Sequence, residues 1–229
     1  MPTISQLFHV FLEGQVSSKS LIPMRHFVFI PFSLFLLLVF GKAPPAGDTE
    51  WTTSYFLDGE HKIAKSSLLT TIPLMTKEWK VTFEVNPTDY SVNGYASVLH
   101  GSIGGKGSKI GDRIPAIWFH PTKGLLVATA LNGKVSYGRH FKPLPPVGEW
   151  TKIEVSQSLV SSRYIFSIAI GNKHVLTKEN TKPVELSDVK VYSGSPWYSG
   201  QNGLIKDLKI LTKDCQLSGK SNFLCFSMS

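Results

Sequence analysis

The sequence predicts an all-β sandwich of two sheets. Apolar residues alternate with polar ones in run after run, the period-two pattern of strands buried on one face. Gly, Pro and Asn-Gly turn signals separate these runs at the spacing of a sandwich. After residue 47 no apolar run repeats at helical spacing, and Gly and Pro exclude a long helix. The 229-residue chain is 42% hydrophobic and 17% charged, an ordinary globular balance. Its length fits one such sandwich with a sizeable core.

About eleven strands are expected. The stretch from Glu149 to Ile210 organises them, with three apolar runs and no helical spacing. In the first, Ile153 and Val155 oppose Lys152, Glu154 and Ser156. In the second, Tyr164, Phe166, Ile168 and Ile170 share a face, and Gly171-Asn172 turns the chain into a hairpin. In the third, Val189 and Val191 alternate with Asp188, Lys190 and Tyr192. Upstream, Glu50 to Phe56 predicts a first strand, and Lys62 to Leu74 a second carrying Leu68, Leu69, Ile72 and Leu74. Glu78 to Val85 predicts a third, with Val81, Phe83 and Val85 inward. Further strands are expected at Tyr95 to His100, Ile114 to His120, Leu125 to Leu131 and Val135 to Phe141. Asn132-Gly133 is a type I′ hairpin signal between the last two.

Residues 1–49 read as processing and linker sequence. Phe27 to Phe40 is a run of fourteen residues without charge, preceded by Arg25 and followed by Gly41-Lys42-Ala43. It is shorter than the roughly 18 residues a spanning helix needs, and Pro31 interrupts it, so residues 24–41 are expected to be a cleaved signal peptide, with a retained anchor as the alternative. Residues 1–23 are then an upstream extension, with translation starting at Met24 as the alternative. Residues 42–49 form a Pro-Gly linker, residues 50–212 the sandwich domain and residues 213–229 a tail. The expected product is secreted, with no stable membrane span after cleavage. In that compartment Cys215 and Cys225 are expected to form a disulfide closing a short loop. Two thiols alone are too few ligands for a metal site.

The formal charge is +8. Losing residues 1–41 changes it by one unit, since Lys19 and Arg25 leave together with Glu13. The basic residues are scattered, which suits a solvated surface and general attraction to polyanions. No nucleic-acid-reading motif is present.

Several residues stand out as chemistry. The loop Gly101 to Asp112 is rich in glycine, but its Lys106 stands where the second glycine of a phosphate-binding loop belongs, and no helix follows. It reads as a connecting loop or a ligand-binding rim. Trp197 and Tyr198 lie in a Ser-Gly-Pro loop, where aromatics stack on sugars, bury into a partner or plug the sandwich end. Trp118 faces opposite to Ile117 and Phe119, with Ala116 and His120; it reads as a core tryptophan or as part of the lining of the concave sheet face. His100, His120, His140 and His174 show no metal-binding spacing, and no G-x-S-x-G elbow exists.

Four segments carry a resemblance: Gly111 to Phe119 (GDRIPAIWF), Trp150 to Glu154 (WTKIE), Asp188 to Tyr192 with Ser195 to Tyr198, and Gly203 to Leu208. Together, over roughly Trp51 to Ile210, they resemble the concanavalin A-like lectin/glucanase superfamily, and within it the LamG-like jelly-roll modules of secreted animal proteins. The resemblance implies a two-sheet antiparallel jelly-roll sandwich and binding of a glycan or an extracellular protein, sometimes with a rim calcium. It makes Trp118 and His120 candidates for a glycan-binding sheet face, beside Arg113, Trp197 and Tyr198. Asp112 is the candidate calcium ligand; a local cap is its alternative, since calcium takes six to eight oxygens and the nearest acids in sequence are Asp89 and Glu84. Glycosidases of this superfamily carry E-x-D-x-E on one strand, which is absent here. The expected role is therefore non-catalytic recognition without an obligate cofactor, against two alternatives: a glycan-active enzyme, or a structural matrix or venom component. Oligomeric state is not legible.

Overall fold

The computed structural model describes residues 50–213. The expected signal peptide and linker, and the expected disulfide between Cys215 and Cys225, lie outside the described residues. Twelve strands account for most of the described chain: β1 (Trp51–Lys62), β2 (Ser67–Met75), β3 (Trp79–Pro87), β4 (Ala96–Ser102), β5 (Ala116–His120), β6 (Gly124–Leu131), β7 (Lys134–Phe141), β8 (Thr151–Val160), β9 (Arg163–Ile170), β10 (Lys173–Glu179), β11 (Leu186–Ser193) and β12 (Gly203–Lys213). They form two six-stranded sheets, ordered β1-β12-β3-β8-β9-β10 and β2-β11-β4-β5-β6-β7. Every strand pairing within the sheets is antiparallel. The all-β jelly-roll sandwich expected from the sequence is the fold observed.

Alternation explains which side chains fill the space between the sheets. In β3, Trp79, Val81, Phe83 and Val85 are buried while Lys80, Thr82 and Glu84 are partly exposed. Ile153 and Val155 of β8 lie opposite Phe83 and Val81 in register. Phe119, Ile117, Leu125 and Val127 meet them from the second sheet in one continuous core. Asn132 and Gly133 have φ of 54° and 73°, the left-handed pair of a type I′ turn.

Two expectations need adjusting. The second strand begins at Ser67, and it is an edge strand: only Ile72 and Met75 are buried, while Leu68 is 51% and Leu74 46% exposed. An edge strand half-covered by its sheet has no core position for every leucine it carries. The first strand runs on to Lys62, because it pairs along nearly the whole of β12. That pairing is interrupted where Asp207 takes φ of 51°, a bulge that lets Ile205, Leu208 and Ile210 all face inward.

Side-chain amides join the two sheets at one point. Gln157 of β8 donates to the Lys77 carbonyl at 2.7 Å and accepts from Asn180 Nδ2 at 2.7 Å. Asn180 Oδ1 in turn accepts the Asn132 N–H at the β6–β7 turn at 2.9 Å. Buried amides whose donors and acceptors are met in this way fix one register.

Candidate functional site

Directly paired residues of adjacent strands share a face. Register therefore places a row of small residues on the outer face of the second sheet: Ala116 pairs with Ala128, and Ala128 with Gly138. A Cβ on Gly138 would stand 3.2 Å from Leu126 Cδ1, so the floor here is low because glycine keeps it so. Beside that floor Trp118 pairs with Leu126, and Leu126 with His140.

Trp118 is only 3% exposed, yet it belongs to a small cluster with Ala116 and Ala128 that is separate from the main core. It is roofed from the loops. Tyr198 meets it edge-on, ring centroids 6.1 Å apart, and the Arg113 guanidinium lies 5.3 Å from its ring centre. Tyr95, Arg113, Trp118, Leu126 and Tyr198 together line a cavity of about 250 Å³.

Arg113 is half-buried. Its Nη1 donates to Ser136 Oγ at 2.7 Å, while its Nε is buried with no partner. Tyr95 forms the opposite rim. Its hydroxyl lies 2.9 Å from His140 Nε2, its ring meets His120 edge-on at 4.7 Å, and Lys123 Nζ lies 5.4 Å from its centre. Partial desolvation, reinforced by the positive Lys123 and by His120, lowers the His140 pKa.

Behind Trp118 sits His100, fully buried on β4 and edge-on to both Trp118 and Trp197, at 5.5 and 5.3 Å. Its Nε2–H donates to the Asp112 carbonyl at 2.9 Å, and its Nδ1 has no partner. Burial pushes the imidazole down to about 4, against that hydrogen bond. The unfolded chain therefore binds a proton at this position that the folded chain refuses. Stability is unaffected by His100 above its ordinary value of 6.5 and falls as pH drops towards 4. Urea titrations between pH 7 and 4 should show that decline, and His100→Asn should flatten it.

The glycine-rich loop is built around Asp112. Its Oδ2 accepts the backbone N–H groups of Gly107, Ser108 and Lys109 at 3.0, 2.8 and 2.8 Å. Burial raises the carboxyl, but the backbone N–H groups of Lys109, Gly107, Ser108 and Gly105 outweigh it and hold the pKa below the usual value. A Cβ on Gly105 would stand 2.1 Å from Asp112 Oδ1, so the loop can close on the carboxylate only with glycine there. Three N–H donors turned to one oxygen make Asp112 the clamp of its own loop. Among the described residues no group of three or more His, Cys, Asp or Glu is placed to hold a metal ion.

Of the residues singled out in the sequence, Arg113, Trp118 and Tyr198 line one cavity. His120 lies beside it against Tyr95, and Trp197 packs on His100 behind Trp118. Tyr95 and Leu126 enter the site only through the structure, and so does the pairing of His140 with Tyr95. The available signal was register: small Ala116, Ala128 and Gly138 mark the floor, and Leu126 alternates outward beside them.

No family model matches the sequence, and no curated protein matches it. Solved structures give architectural likenesses. A heptameric SAP-like pentraxin from Limulus polyphemus is 13% identical, with a TM-score of 0.45 over 68% of this chain and 73% of its own. The CBM40 module of a Ruminococcus gnavus IT-sialidase, bound to α2,3 sialyllactose, is 11% identical, with a TM-score of 0.48 over 71% of this chain and 94% of its own. Mouse laminin α1 domains LG4-5 are 15% identical, with a TM-score of 0.43 over 72% of this chain and 42% of theirs. At such identities these are similarities of fold.

Proposed function

We propose that this protein is a secreted, non-catalytic recognition module that binds a saccharide unit of a glycan in the cavity on the outer face of its second sheet. The cavity itself carries the reading. Tyr95 and Tyr198 supply aromatic surface for the apolar face of a sugar ring, above a floor formed by the largely covered Trp118. The Arg113 guanidinium and the tyrosine hydroxyls supply a few polar groups to fix its orientation. At about 250 Å³ the space lies just below the roughly 300–1,000 Å³ of drug-sized ligand sites, a size for one sugar unit.

Catalysis finds less support. Register puts Glu84 and Glu154 on the same outer face of the first sheet, one step off opposite each other. Glycoside hydrolysis needs one carboxyl to carry a proton beside a second that is ionised. Here each is tied to a lysine at 3.5 Å, Glu84 to Lys206 and Glu154 to Lys80.

A glycan array probed in calcium and again in chelator tests the proposal. Binding of the same glycans in both conditions is expected. Tyr198→Ala should weaken it by about tenfold or more, since Tyr198 is a loop aromatic whose removal takes away one wall. An array blank in both conditions would remove the reading.

A further inference from the structure

We infer that the saccharide bound here is anionic, carrying a carboxylate or sulfate that the Arg113 guanidinium receives at the mouth of the cavity. The inference rests on the saccharide-binding reading above and adds the charge of the ligand.

Four observations carry it. First, Arg113 has no carboxylate partner among the described residues; all four ion pairs there involve residues on or beside the strands of the first sheet. A half-buried guanidinium whose one side-chain hydrogen bond runs from Nη1 to a serine hydroxyl retains Nη N–H donors for a ligand. Second, the two sheets differ in acidity. The strands of the first carry Asp58, Glu60, Glu84, Glu154, Glu179 and Asp207, whereas those of the second carry Asp188 alone. Third, two loop acids are already engaged: Asp112 by its own loop N–H groups, and Asp89 by Ser91 and Asn202. Fourth, the opposite rim adds the Lys123 ammonium, set with His120 and His140 around Tyr95.

A neutral sugar would leave the Arg113 guanidinium and the Lys123 ammonium uncompensated. An anion answers them, and the planar fork of arginine matches a carboxylate or sulfate through two parallel hydrogen bonds. The aromatic rim favours a sugar-borne anion over a bare inorganic one, which would leave the Tyr95 and Tyr198 side of the cavity unfilled.

The test is calorimetric titration of the full chain with the methyl glycosides of D-glucuronate, D-glucose 6-sulfate and D-glucose, alongside the array. At least one charged sugar should bind roughly tenfold to a hundredfold more tightly than glucose, the worth of a hydrogen bond to a charged group. The two charged probes separate a carboxylate from a sulfate ligand. Arg113→Gln should erase the preference for charge. Lys123→Gln, at an exposed position that leaves folding unchanged, should reduce it by about two- to fivefold. Neutral glycans bound on the array as tightly as charged ones would overturn the inference and leave saccharide binding standing, as would a charge preference that survives both substitutions. A chain that binds no glycan of either kind overturns both.

Discussion

Trp118→Ala is expected to abolish saccharide binding and to lower the unfolding free energy by about 3–5 kcal/mol, the range for a buried aromatic cut to alanine. Both effects have one cause. Trp118 is 3% exposed and supports Tyr198, Arg113 and His100 at once. Removing the indole opens a hole under the cavity, so that Tyr198 loses its edge contact and the guanidinium its aromatic surface. Trp118→Phe keeps part of the platform and should recover most of the stability but less of the affinity. Isothermal titration with an array-positive glycan and urea denaturation separate the two. A variant that is destabilised yet binds with unchanged affinity would show that the indole serves only the fold.

Asp112→Ala should cost about 2–3 kcal/mol, since it removes a charged acceptor from three backbone donors. It should also weaken binding. Gly107 packs so closely on Arg113 that a Cβ there would lie 2.7 Å from Nη2, so a loop released from Asp112 no longer holds the guanidinium in place. The sign of the pH dependence follows from the lowered carboxyl. The contribution of Asp112 is complete above the ordinary carboxylate value of 3.8 and is lost as pH falls through the lower folded value. The gap between wild type and variant in urea should therefore be constant from pH 7 to 5 and close only in strong acid. Asp112→Asn, which keeps an acceptor oxygen without the charge, should fall between the two.

Local pattern made the scaffold legible. The alternation of Val81, Phe83 and Val85 announced β3, and Asn132-Gly133 announced its hairpin, because each is decided within a few residues. That Trp118 faces opposite to Ile117 and Phe119 was legible for the same reason, but alternation alone left open whether that face is core or surface. The cavity was not. It depends on Trp118 pairing with Leu126 and Leu126 with His140, and on Tyr95 and Tyr198 arriving from separate loops, none of which alternation can encode. The Asp207 bulge was hidden as well: a plain alternation reading assigns Ile205 and Leu208 to opposite faces, and only pairing to both neighbours reveals the extra residue. The exposure of Leu68 and Leu74 was missed because composition does not say which strand lies at an edge.

The loop after β4 has a further implication for how this protein could change. Its course is set by main-chain N–H groups converging on one carboxylate, with Gly105 and Gly107 needed for close approach. The exposed side chains of Lys106, Ser108 and Lys109 take no part in that arrangement, since these residues contribute only their backbone or nothing to it. Shape and surface chemistry are thus separately encoded at this rim. Those three side chains can be varied while the frame beneath them stays fixed, proline excepted at 108 and 109 because it lacks the N–H that Asp112 accepts, as in a binding loop whose diversity is displayed on a constant scaffold.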